Sequence, residues 1–215
     1  LFCDHYLQAI KHSDAIASFL RFINKEQDFF SKEFSVPQIK AHSVEPFYAV
    51  LENVTPWTHA LKGKKVLIVH PFIESFKKQQ RNNFQLFSDS KLFLEDQEFS
   101  YYRTFQTIAG NHIHNDWFET YNIMCNEISK IDFDVALLGC GGYGLPLCNF
   151  IKTDLNKSAI YIGGGLQLLF GVIGSRWESN NFWDTLIKRH NIKFIKPSGN
   201  EICKNLKTIE NGCYW

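Results

Sequence analysis

The densest chemical signal in the sequence is Gly139-Cys140-Gly141-Gly142-Tyr143-Gly144. It fits the spacing G-x-G-x-x-G. The apolar run Asp134 to Gly139 precedes it, and a helix-like segment from Pro146 to Leu155 follows. Glycine permits positive φ and lets backbone N–H groups come close to an anion. The start of the next helix adds partial positive charge. The turn therefore suits a phosphate or diphosphate approached by Gly139, Gly141, Gly142 and Gly144. A tight strand-to-helix turn without a ligand explains the same residues. A second cluster, Gly163-Gly164-Gly165, ends the next apolar run, and His70-Pro71 ends another. In a parallel sheet these strand ends share one carboxyl edge, where such sheets bind ligands. Arg176, beyond the second cluster, is placed to pair with an anion.

Other chemistries fit less well. A dinucleotide site wants an acid about 20 residues past the glycine turn to hold the ribose. That place is taken by Gly163-Gly164-Gly165, and the next acid is Glu178, so no NAD is expected. Cys140 sits just past a strand like a nucleophile on an elbow, but Leu138 stands where the elbow needs glycine. His112 and His114, near Asp116, offer metal-ligand types but read first as a polar loop before a capped helix.

The elements that must position these residues alternate. Segments with helical spacing are Asp4 to His12, Asn24 to Glu33, Ile73 to Phe84, Asp116 to about Ile131, Pro146 to Leu155 and Leu166 to Phe170. Asp116 with Glu119 has the form of a capping box. Gly63 is a plausible helix cap after Pro56 to Leu61. Strand-like segments are Ala15 to Leu20, Lys65 to His70, Phe99 to Ile108, Asp134 to Gly139, Ala159 to Gly163 and Ile192 to Ile195. Short apolar strands alternating with helices predict a doubly wound α/β fold, a mostly parallel sheet with helices on both faces.

With 215 residues the chain is expected to form one domain, 1–215, burying roughly 70% of its unfolded surface. Its 23 basic and 22 acidic side chains give a net charge of +1, which argues against a nucleic-acid partner. No apolar run approaches the roughly 20 residues that cross a bilayer, so no membrane span is expected. Six scattered cysteines without a CxxC pair point to a reducing, cytoplasmic location. The sequence opens on Leu1 rather than Met and is expected to lack upstream residues.

Several segments together resemble the bacterial GT-D-like glycosyltransferase domains. They are Pro56-Trp57, Leu61 to Phe72, Phe133 to Pro146, Gly163 to Gly171, Arg176-Trp177 and Glu210 to Trp215. The resemblance implies a Rossmann-like domain that binds a nucleotide-sugar donor and transfers the sugar to an unknown acceptor. On that reading the four loop glycines and Gly163, Gly164 and Gly165 wall the nucleotide. Tyr143 stacks on a base or sugar, and Arg176 meets phosphate charge. Glu178, Glu210 and His70 are the candidate catalytic bases. A divalent metal (Mn or Mg) is implied for the full-length protein, held by an Asp-x-Glu motif. That motif lies upstream of Leu1 or is absent. Asp96-Gln97-Glu98 and Asp132-Phe133-Asp134 have the letters but precede or open strands. The competing expectation is a non-catalytic module that binds a nucleotide or sugar phosphate.

Overall fold

The computed structural model describes residues 1–18, 24–88, 91–94 and 97–215. In chain order the helices are α1 (Phe2–Lys11), α2 (Asn24–Phe34), α3 (Pro46–Leu51), α4 (Ile73–Arg81), α5 (Trp117–Ile128), α6 (Gly144–Thr153), α7 (Leu166–Leu169), α8 (Ser175–Glu178) and α9 (Asn181–His190). The strands are β1 (Ile16–Ser18), β2 (Gln38–Lys40), β3 (Lys65–His70), β4 (Glu98–Arg103), β5 (Val135–Leu138) and β6 (Ser158–Tyr161). The fold is α/β. Its main sheet has four parallel strands in the order β4-β3-β5-β6, and β1 and β2 pair separately, also in parallel.

β3 reads as an unbroken apolar run because it is central and both its faces are covered. Val66 and Ile68 enter one core with Phe72 and Phe76 of the α4 side, Leu168 of α7 and Trp183 of α9. Leu67 and Val69 enter the other, with Met124 and Ile128 of α5 and Leu147 and Ile151 of α6. Register is tight: Val66 lies beside Phe99 and Val135, and Val135 beside Ser158. All three strands that carry the expected site therefore end on the same side of the sheet.

Several boundaries follow from local chemistry. Gly63 takes φ +70° just before β3, as a helix-ending glycine does. Asp116 caps α5, its Oδ1 accepting the Glu119 N–H at 2.8 Å. The reciprocal leg of the box is missing, because Glu119 instead accepts from Asn115 N and Nδ2. α4 stops at Arg81, short of Phe84, where Asn83 turns to φ +52°. β4 likewise ends at Arg103, well before Ile108. The strand expected at Ile192 to Ile195 is a single bridge, Val172 to Ile195. There two backbone bonds, Ile173 N–H to the Ile195 carbonyl and Ile195 N–H to the Gly171 carbonyl, are extended by the buried Gln79 amide, which donates to the Gly171 and Lys193 carbonyls. Of the strand expected from Ala15 to Leu20, Ile16–Ser18 forms, and residues 19 and 20 lie outside the described residues. Among the described residues no helix is long and apolar enough to cross a membrane.

Candidate functional site

The carboxyl ends of β3 and β5 meet at His70 and Gly139, and they meet closely. A Cβ on Gly139 would lie 2.6 Å from the Gly163 carbonyl oxygen and 2.7 Å from the His70 ring. The glycine is needed there so that three strand ends can close on one another. His70 is 2% exposed. Its Nδ1 accepts the Phe72 N–H at 3.0 Å, and its ring packs on Phe76. Burial pushes its pKa down to about 3. A neutral, enclosed imidazole cannot reach a substrate, so His70 packs rather than acts as a base.

The rest of the first glycine turn is also claimed by the protein. The Tyr161 ring occupies the space beside Gly144, and its hydroxyl donates to the Gly141 carbonyl at 3.1 Å. Tyr6 of α1 donates to the Gly142 carbonyl at 2.9 Å. Gly141, at φ +56°, has nothing within 4 Å on the side where a Cβ would stand. Tyr143 is buried and stacks flat on Trp117 at 5.1 Å, with its hydroxyl 2.7 Å from Thr107 Oγ1. It is therefore not free to stack on a base or sugar. Burial pushes the Cys140 thiol well above its usual range, which leaves no thiolate nucleophile.

The second turn opens onto a cleft of about 1290 Å³. The cleft runs along β6 between the main sheet and the N-terminal segment, and Gly163, Gly164 and Gly165 line it with Trp57, Arg176 and Trp177. Tyr214 covers Gly164, where a Cβ would lie 2.6 Å from the ring. The C-terminal segment fixes Arg176: its backbone N–H donates to the Cys213 carbonyl at 2.9 Å. Its guanidinium donates to Tyr214 Oη at 3.0 Å and forms an ion pair with Glu210. No family model, curated protein or solved structure matches this chain.

What the cleft can do follows from its own side chains. It brings Gly163, Gly164, Gly165 and Arg176 together, with Glu210 held at one remove through the guanidinium. Glu178 is not among its lining residues and is paired with Lys196 at 2.7 Å. The three expected bases are thus dispersed. Two carboxylates do line the cleft, Asp14, which is paired with Lys152 at 2.7 Å, and Glu45, which sequence reasoning missed. Its Oε1 sits against Gly165, in the space that any other residue would fill with a Cβ. Burial pushes its pKa up to about 7. The sequence offered one small signal, an acid directly before Pro46 at the first turn of α3. Its partner glycine is remote in sequence and could not be read from it.

Ligands for a metal do not gather. No group of three His, Cys, Asp or Glu side chains able to hold an ion forms among the described residues. Asp132 pairs with Lys65 Nζ, and Asp134 accepts the Lys65 N–H, both at the amino end of β5. His114 is 3.0 Å from Thr120 Oγ1. Glu98 opens β4, and Asp96 lies outside the described residues.

Proposed function

We propose that the chain is a nucleotide-sugar-binding domain of a cytoplasmic glycosyltransferase and that the donor lies in the cleft beside the Gly163 turn. The observation that carries this reading is one cleft that collects a glycine turn, an arginine and two indoles. Backbone at Gly163 to Gly165 can come close to a diphosphate. Arg176 supplies the positive charge that a leaving diphosphate needs, and Trp57 and Trp177 offer flat apolar walls to a base or sugar. The strand order supports a doubly wound, Rossmann-like sheet. β3 to β4 grows one way and β5 to β6 the other, so the reversal falls between β3 and β5. Ligands of such sheets bind at that reversal. Here His70 and Gly139 fill it, which favours the next opening along the edge. The divalent metal that the resemblance implies finds no ligand cluster among the described residues; of the cleft's cations, Arg176, Lys152 and Lys157, Arg176 is the one beside the Gly163 turn's Tyr214 cover. Six free cysteines fit a reducing compartment.

The dispersal of Glu178, Glu210 and His70 favours a second reading, a module that binds the nucleotide without turnover. Both readings need nucleotide binding in this cleft. Calorimetric titration of UDP and GDP should show binding to the parent and a roughly tenfold to hundredfold loss in Arg176→Ala. Absence of binding to the parent, or equal binding to the variant, rejects the cleft as the site.

A further inference from the structure

Resting on that cleft reading, we propose that Glu45 is the base that takes the proton from the acceptor hydroxyl. The geometry of the side chain carries the idea. Glu45 is the N-cap residue of α3, a place where a polar side chain ordinarily turns back to bond the helix's free N–H groups. It makes no such bond, and Pro46 at the first position has no N–H to offer. The carboxyl reaches away from its own helix to the Gly163 turn and seats on Gly165. That leaves it lining the same cleft as Arg176. The expected acids and the cleft's other carboxylate are committed elsewhere: Glu178 to Lys196, Glu210 to Arg176 and Asp14 to Lys152. A base works best with a pKa near the working pH, and burial holds Glu45 at about 7.

The titratable groups around it are few. Tyr48 lies on its own helix, stacked on His42 at 4.2 Å. Across the turn stand Arg176 and Tyr214, with Tyr161 at the end of β6. Farther along the cleft are His12, Lys157 and the Lys152–Asp14 pair.

In the step, a Glu45 oxygen accepts the hydroxyl proton as the acceptor oxygen bonds to the anomeric carbon. The bond from that carbon to the donor's phosphate oxygen breaks, and its electron pair leaves on the diphosphate beside Arg176. The products are the glycoside, the nucleoside diphosphate and protonated Glu45, which returns its proton to water.

The test uses UDP-glucose, UDP-N-acetylglucosamine and GDP-mannose, with water as the acceptor, and follows UDP or GDP release across pH. For the parent, the rate should rise with pH and level off near 7. Glu45→Gln should lower it roughly 10²- to 10⁴-fold and flatten the profile, while calorimetric binding of UDP and GDP is unchanged. Glu45→Asp, which keeps the acid but shortens its reach, should retain part of the rate with a displaced profile. It also serves if the Gln variant does not fold. Release by either variant at the parent's rate and profile overturns the base, as does a parent that binds nucleotide but releases none. A parent that binds no nucleotide overturns the cleft reading first, and the base with it.

Discussion

The two glycine turns begin as equals and end as opposites. Each follows a short parallel strand, each opens a helix, and both lie on the carboxyl edge. At the first, neutral aromatic groups fill the space the glycines leave: the His70 ring at Gly139 and the Tyr161 ring at Gly144. At the second, the Tyr214 ring covers Gly164, but an ionisable carboxyl fills the space at Gly165, and the turn faces an open cleft. Glycine at a strand end therefore signals close approach, and the identity of the approaching group decides whether the turn is core or site.

The largest expected effect lies in the closed turn. Gly139→Val must displace the Gly163 backbone and the buried His70 ring, so overpacking should cost about 3 kcal/mol. That is roughly 6–12 °C in Tm for a chain of this size, read by calorimetry or circular dichroism. An unchanged Tm would mean that the strand ends are looser than the geometry states.

Next comes Glu45 at the open turn. Below about pH 4.5 its carboxyl is protonated both folded and unfolded, and burial costs little. Between about 4.5 and 7 the unfolded chain gives up the proton first, so stability falls as pH rises. Above about 7 the cost is complete, near 3 kcal/mol for a shift of this size. Denaturant titration of Glu45→Gln should show a gain approaching that figure at alkaline pH and almost none in acid. An equal effect at both ends would remove the burial argument and blur the contrast between the turns.

The smallest effect sharpens the contrast within the first turn. Gly141 has open space where a Cβ would go, so Gly141→Ala meets no neighbour and pays only for its φ of +56°. The expected loss is about 1–2 kcal/mol, measured by the same titration. A loss as large as that of Gly139→Val would show that the whole turn is sealed.

The strands of the main sheet were legible because burial on both faces writes them as unbroken apolar runs, as in Val66 to Val69. β2, three exposed residues at Gln38–Lys40, carries no such signature and was missed. The glycine turns were legible as turns. Their contents were not, because what fills a glycine comes from elsewhere in the chain: Tyr6 from α1, Tyr161 from β6, Glu45 from the entry to α3. Tyr143 had the right type and place for stacking, and only the arrival of Trp117 shows that its face is already covered. Glu178 and Glu210 had the right charge, and their cationic partners were equally invisible to local spacing.

The seat of Glu45 on Gly165 also bears on how such a protein can drift. The atom at stake is the far end of a flexible side chain, so a methyl group at 165 would be accommodated sterically. It would tip the carboxyl off its seat toward water and so lower its pKa. Position 165 thus works as a dial on the acidity of residue 45, turned by a single hydrogen-to-methyl exchange. The acid itself can stay fixed while its working pH range is retuned from across the cleft.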